Sequence, residues 1–219
     1  MALGLSSPQR SLRAVLFDWD GTLLNSFQAD AAAYEEMFAQ LGIGWGRGQL
    51  EQHYSPDWYR VYRAAGIAEE RWEEADELWR RAYLRQRPRL MPGARQALAV
   101  LLGRYKLALV TSGHRARVAA QLRRFGLARA FTARICSEDA PRRKPHPAPL
   151  QLALRRLRLP PAACVYVGDA PEDVAMARAA GARAIGILGP FPNHARLRAS
   201  RPLALLVSIT ALPAVLRRL

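Results

Sequence analysis

Ala14-Val15-Leu16-Phe17 run without a break into Asp18-Trp19-Asp20-Gly21-Thr22-Leu23. A short apolar run bounded by turn residues predicts a strand buried on both faces, as in a parallel sheet. Two carboxylates at the C-terminal end of such a strand stand where an open α/β sheet binds its ligands. A bare Asp-x-Asp also fits an Asx-type turn closing a strand, so the rest of the chain has to decide between the two.

The acidic residues bear on that choice. Of 18 Asp and Glu, eleven lie between Asp30 and Glu77, and the other seven are Asp18, Asp20, Glu138, Asp139, Asp169, Glu172 and Asp173. Outside one segment, every acid therefore falls in three short clusters, each after an apolar run. Helices elsewhere carry arginine instead. Acids kept at strand ends predict carboxylates converging on one cation, with Mg²⁺ favoured by an all-oxygen donor set.

The lysines make a parallel case. Thirty-one of the 33 basic residues are arginine, and the two lysines are Lys106 and Lys144. Lys144 stands in Arg142-Arg143-Lys144-Pro145-His146-Pro147. A compact ammonium makes a point contact to a phosphoryl or carboxylate oxygen that a guanidinium fork does not reproduce. Lys106 begins a strand and reads as incidental.

The alternation of strand and helix patterns predicts an α/β fold with a Rossmann-like parallel sheet. The predicted strands are Ala14–Phe17, Leu107–Thr111, Ala133–Cys136, Cys164–Val167, Ala184–Leu188 and Ala204–Val207. Between and after them, helices are predicted over Ala94–Leu102, Arg115–Phe125, Pro149–Leu157, Glu172–Ala180 and Ile209–Leu219, the last with Ser208 as N-cap and weakened by Pro213. Nearly ninety residues separate the first two strands, far more than a crossover helix needs. The excess predicts an inserted helical cap over residues 26–89, with the α/β core formed by 1–25 and 90–219. The cap helices are expected at Gln28–Leu41, Pro56–Ala65 and Glu69–Arg87. The glycine-rich stretch 42–48 between the first two is expected to be a loop.

A net charge of +15 raises the question of nucleic acid. The arginines are spread over many helices and no nucleic-acid motif is present, which argues against that partner. The charge would instead draw in anionic substrates. No apolar run approaches the roughly 20 residues of a membrane helix. Met1 to Arg13 lacks the apolar stretch of a secretory signal, and Cys136 and Cys164 have no metal spacing. These features predict a cytoplasmic protein, monomer or homodimer, with buried free thiols.

Two further elements carry chemistry. Thr111-Ser112-Gly113 ends a strand with hydroxyls and backbone amides before a helix, a setting that suits phosphate. Gly168-Asp169-Ala170-Pro171-Glu172-Asp173 delivers Asp169 from a strand and Asp173 in the first helical turn opened by Pro171. The helix dipole accounts for Glu172 and Asp173 but not for Asp169.

In order and spacing, Asp-x-Asp-Gly-Thr, a hydroxyl, Lys-Pro-x-Pro and Gly-Asp-x-x-x-Asp resemble the motifs of the haloacid dehalogenase (HAD) superfamily. The resemblance covers essentially the whole chain and is greatest to the phosphoglycolate phosphatase and beta-phosphoglucomutase branch. It implies Asp18 as nucleophile and Asp20 as general acid/base. It implies Thr111 (with Ser112 and Gly113) as phosphoryl holders and Lys144 as the offset to phosphoryl charge. Mg²⁺ would be bound by Asp18, Asp169 and the backbone carbonyl of Asp20, with Asp173 in an outer role that also orients Lys144. The implied activity is hydrolysis of a small phosphorylated metabolite through an aspartyl-phosphate.

Two positions depart from the pattern: Asn25 replaces a common Asp near the cap hinge, and Trp19 is bulkier than the usual Leu. Asp30 stands where beta-phosphoglucomutase has a cap histidine, which lowers the alternative of a sugar-phosphate mutase. Intact motifs argue against a silent binding or scaffold protein, and the second aspartate argues against a dehalogenase. Specificity is then expected from the cap, where Trp45 and Arg47 in the glycine-rich loop would contact the leaving group.

Overall fold

A computed structural model describes residues 11–219; residues 1–10 of the expected core segment lie outside the described residues. The chain opens with β1 (Ala14–Phe17), turns through Gly21 into β2 (Leu24–Asn25), and enters four helices, α1 (Phe27–Gln40), α2 (Arg47–His53), α3 (Trp58–Ala64) and α4 (Trp72–Leu84). It returns through β3 (Arg89–Leu90), which pairs antiparallel with β2. From there strands and helices alternate: α5 (Ala94–Leu102), β4 (Lys106–Val110), α6 (Arg115–Arg124), β5 (Ala133–Ile135), α7 (Ala148–Leu157), β6 (Cys164–Gly168), α8 (Pro171–Ala179), β7 (Arg183–Ile187), α9 (His194–Ala199), β8 (Ala204–Leu206) and α10 (Leu212–Leu216).

Six strands form one sheet in the order β5-β4-β1-β6-β7-β8, all parallel. β1 lies inside it and is buried throughout. Its side chains alternate between two cores. Val15 and Phe17 pack with Leu98, Leu109, Val167 and Ile185 on one face, while Ala14 and Leu16 pack with Val110, Leu150, Tyr166 and Met176 on the other. That is why the strand reads as a continuous apolar run rather than an alternating one. The chain crosses from β1 to β4 on one side and later to β6 on the other. The crevice at the C-terminal ends of these three strands is thus a topological switch point, where open α/β sheets bind ligands.

Trp19 turns inward. It is fully buried in the first of these cores and donates its indole N–H to Gln121 at 2.8 Å. The bulk between the two aspartates is therefore core packing, not part of the crevice.

The helices of the insert hold a separate apolar cluster: Phe27, Tyr34, Met37 and Phe38 of α1 against Leu50, Val61, Tyr62 and Ala75. Phe191, from the loop after β7, joins this cluster. Its ring centroid lies 5.1 Å from that of Phe27 and 4.6 Å from that of Tyr54. The insert is thus seated over the strand ends.

Three local expectations are corrected. The glycine-rich stretch is not loop throughout: α2 begins at Arg47, and the Gln49 side chain accepts from the Gly46 N–H at 3.1 Å, satisfying one of the amides left free at a helix start. The segment expected as one helix over Glu69–Arg87 is a 3₁₀ turn at Glu69–Arg71 followed by α4. At the C-terminus, Ser208 accepts from the Thr210 N–H at 3.2 Å as a cap should, but a 3₁₀ turn follows and α10 starts at Leu212. Pro213 has no N–H to give, so it fits only a first helical turn. Among the described residues, no helix is long and apolar enough to cross a membrane.

Candidate active site

β1 and β6 are neighbours in register, with Phe17 opposite Val167. Asp18 and Asp169 are the residues that follow on each strand's end, so strand pairing alone brings them together. Pro171 then opens α8 and puts Asp173 in its first turn, where one carboxylate oxygen accepts from the Ala170 N–H at 3.1 Å. Gly168 makes this possible: a Cβ there would lie 2.3 to 2.6 Å from the Asp173 side chain. Gly21 plays a similar part, with φ at +78° and no room for a Cβ beside the Asp169 carboxylate. The Thr22 hydroxyl donates to Asp169 at 2.9 Å.

Lys144 completes the cluster from the loop before α7. It is buried, and its Nζ lies 2.8 Å from both Asp18 Oδ1 and Asp173 Oδ1. Carboxylate oxygens of Asp18, Asp169 and Asp173 all fall within 4.8 Å of one another. Three buried carboxylates thus share one ammonium. Burial pushes the Asp18 carboxyl up to about 7, opposed by Lys144 and reinforced by the neighbouring acids Asp173 and Asp20. Asp169 is pushed well up for the same reasons: burial, then the charges of Asp18 and Asp173. Burial acts to lower Lys144, but Asp173 and Asp18 outweigh it and raise it. An oxygen-only donor set with surplus negative charge, out of water, fits a hard divalent cation such as Mg²⁺.

Asp20 faces elsewhere. Arg117 of α6 grips its carboxylate with two N–H groups, at 3.0 and 2.7 Å. The same guanidinium lies 4.9 Å from the ring centroid of Tyr83, and its Nη1 is 3.4 Å from the Tyr83 hydroxyl. This pair ties the strand-end aspartate to the helical insert. Burial acts to lower Arg117, and Asp20 and Tyr83 raise it, so the guanidinium stays charged.

Above the carboxylates a cavity opens between core and insert, with about 790 Å³ of free space including its mouth. Asp18, Asp20 and Asp169 line its floor, with Thr111, Ser112 and Gly113 beside them. Thr111 Oγ1 accepts from the Gly113 N–H at 3.1 Å, which fixes the turn before α6. The space suits a phosphoryl group plus a small organic remainder.

Some expected residues are not brought to this place. Trp45 packs half-buried inside the insert, its ring 5.5 Å from Phe38 and 5.1 Å from His53. Arg47 pairs with Glu35 at 2.8 Å and donates to Gln28 at 2.7 Å. Neither lines the cavity. Glycines around Trp45 suggested a side chain without core partners, but α2 folds back and supplies them.

The third acid cluster does not converge either. Asp139 caps the Cys136 N–H at 2.8 Å and pairs with Arg115 and Arg156 at 3.0 Å, while Glu138 accepts from the Arg115 N–H at 2.9 Å. It follows β5, two strands from β1, and each strand step is roughly 4.8 Å.

Two site residues escaped the sequence reading. Arg117 is one arginine among many, and only burial singles it out. Asp30 did carry a signal: it falls at helical spacing between Phe27 and Tyr34 on the apolar stripe of α1. It lines the cavity, and burial, followed by the charge of Asp20, pushes its carboxyl up to about 7.

Comparison with known proteins places the chain in a family. The sequence profile of the haloacid dehalogenase-like hydrolases matches residues 15–187. The chain is 32% identical over 189 residues to phosphoglycolate phosphatase of Neisseria meningitidis, covering 80% of each protein. It is 27% identical over 212 residues to the pyrophosphatase PpaX of Bacillus pumilus, covering 94% of this chain and 97% of that one. Among solved structures, CbbY from Rhodobacter sphaeroides in complex with phosphate superposes with a TM-score of 0.78 at 25% identity, over 92% of this chain and 96% of that one.

Proposed function

The chain belongs to the haloacid dehalogenase-like hydrolases, and we propose that it is a Mg²⁺-dependent phosphatase of a small phosphorylated metabolite. The observation that carries this reading is the buried group Asp18, Lys144, Asp173 and Asp169, of which Asp18 and Asp169 reach the floor of the cavity while Lys144 and Asp173 stand directly behind Asp18. Ion pairs that only stabilise a fold are seldom assembled at the end of a sheet, out of water, with three carboxylates to one ammonium.

In the proposed reaction, an Asp18 oxygen attacks phosphorus in line, the bond to the leaving oxygen breaks, and an aspartyl-phosphate forms. A carboxylate is a weak nucleophile toward an anion. Lys144, held between Asp18 and Asp173, places a fixed positive charge beside the attacking oxygen. The amides and hydroxyls of Thr111, Ser112 and Gly113 take up the phosphoryl oxygens. Asp18 and Asp169, with Asp173 behind them, are the residues that would hold Mg²⁺, which when bound offsets the repulsion between Asp18 and the phosphoryl group.

Asp20 gives a proton to the leaving alkoxide and then takes one from the water that hydrolyses the intermediate. As placed here its carboxylate only accepts, from Arg117, so proton transfer requires that pair to open. The insert over residues 26–89 acts as the cap that closes the site. The two buried free thiols, Cys136 and Cys164, suit the reducing cytoplasm as its place of action.

The test is hydrolysis of p-nitrophenyl phosphate by purified protein, with Mg²⁺ and with chelator, together with detection of a transient phosphoryl group on the peptide bearing Asp18. Turnover that persists unchanged in chelator, or no turnover at all, would overturn the proposal.

A further inference from the structure

The part of the cavity away from the core carboxylates is walled by the insert, and its chemistry is opposite to that of the floor's ligand. The rings of Tyr34, Tyr54, Trp58 and Trp79 line it together with the carboxylates of Asp30 and Asp76. Asp76 accepts from the Tyr62 hydroxyl at 2.8 Å. Among the described residues, neither Asp30 nor Asp76 has a Lys, Arg or His within ion-pair distance.

The basic side chains nearest this wall have partners of their own. Arg117 is held by both oxygens of Asp20, His114 lies 3.6 Å from Glu138, and Arg143, over the outer face of Trp58 at 3.7 Å from its centroid, lies 3.7 Å from Asp57. In a chain of net charge +15, this wall carries two carboxyl groups with no cation paired to them among the described residues. Aromatic faces attract cations through their quadrupoles, and the carboxyl groups of Asp30 and Asp76 in the same wall add to that attraction, because a bound cation favours their charged forms. An anionic group placed there would meet like charge with little water to screen it.

We propose that this wall selects phosphomonoesters whose leaving alcohol carries a positively charged amine and rejects those whose leaving alcohol is an anion. Such a substrate is doubly complementary: its phosphoryl end meets Lys144 and the strand-end amides, and its ammonium end meets Asp30, Asp76 and the rings. The inference rests on the phosphatase reading and adds the class of leaving group. It also separates this chain from the substrate that names its relative in Neisseria meningitidis, because the alcohol released from phosphoglycolate is a carboxylate.

The test compares kcat/KM of the full chain with Mg²⁺ on phosphoethanolamine and phosphocholine, on glycerol 3-phosphate, and on 2-phosphoglycolate. At least tenfold preference for the amines over glycerol 3-phosphate is expected, and at least a hundredfold over 2-phosphoglycolate. Asp30→Asn should reduce the ratio of phosphocholine to glycerol 3-phosphate at least tenfold. Asp76→Asn is measured alongside it, so that a folding failure in one variant leaves the other to decide. Choline should inhibit p-nitrophenyl phosphate hydrolysis competitively, and glycolate should not. Turnover of p-nitrophenyl phosphate with 2-phosphoglycolate preferred over both amines would overturn this inference alone. An unchanged ratio in the folded variants would do the same. No turnover of any ester would overturn the phosphatase reading and this inference with it.

Discussion

The floor and the wall of the cavity are built in different ways. Except for Lys144, floor residues come from strand ends and the turns after them, and backbone pairing sets their positions: Phe17 opposite Val167 delivers Asp18 beside Asp169. Wall residues come from helices α1, α3 and α4 and the segments between them, and side-chain packing sets theirs. The floor is consequently a short list of residues with little freedom to change. On the reading proposed above, chemistry belongs to the floor and choice of substrate to the wall.

The hardest test of that contrast is at the floor. Asp18→Asn keeps the shape of the side chain but removes the nucleophile and an anionic oxygen. We expect kcat to fall at least about a thousandfold on every ester, roughly 4 kcal/mol, with an unchanged circular-dichroism spectrum. A residual rate within tenfold of wild type would break the assignment of floor to chemistry.

Lys144→Ala comes next. It should lower kcat/KM about a hundredfold or more, roughly 2.7 kcal/mol. It also leaves buried carboxylates without their ammonium, and urea titration should show a loss of about 3–5 kcal/mol of stability. Lys106→Ala, at an exposed strand start, is the control and should change both quantities little, with kcat/KM within twofold. Equal effects from the two lysines would show that the floor has no special claim on Lys144.

Arg117 belongs to both regions, since it joins Asp20 to Tyr83. Arg117→Ala should lower kcat by about tenfold on esters of any leaving group and shift the pH–rate profile, because it acts through Asp20. A loss confined to one class of leaving group would assign Arg117 to the wall instead.

The smallest effect is expected within the cap interior. Trp45→Ala and Arg47→Ala should change kcat/KM less than threefold on all esters. Trp45→Ala should still cost about 1–2 kcal/mol of stability, since the ring is half-buried against Phe38 and His53. A large loss on one ester alone would return Trp45 to the substrate and sharpen the boundary drawn here.

How much of this was legible follows the same division. The strands, the parallel sheet, the helical insert and the floor motifs were readable because each rests on local pattern: apolar runs, turn residues, and acids at run ends. Trp19 was read as an oddity of its motif, while its burial against Gln121 became clear only in the packed core. Glu138 and Asp139 looked like a third ligand cluster by the same end-of-strand pattern. Nothing in the pattern told that β5 lies two strands away.

The sequence alone determined what can be encoded over a few neighbouring residues: a strand that ends in Asp18 and Asp20, a lysine kept at position 144, and Asp169 and Asp173 one helical turn apart. Tertiary structure decided what depends on meetings between distant segments. It gave Asp20 to Arg117, it closed Trp45 into the insert, and it turned Asp30 and Asp76 toward a shared aromatic cavity. The physical reason is range. Backbone propensity and periodicity act over a turn of helix or a strand's length. The partner of a buried charge or an aromatic ring is set by how whole elements pack, and no local pattern holds that information.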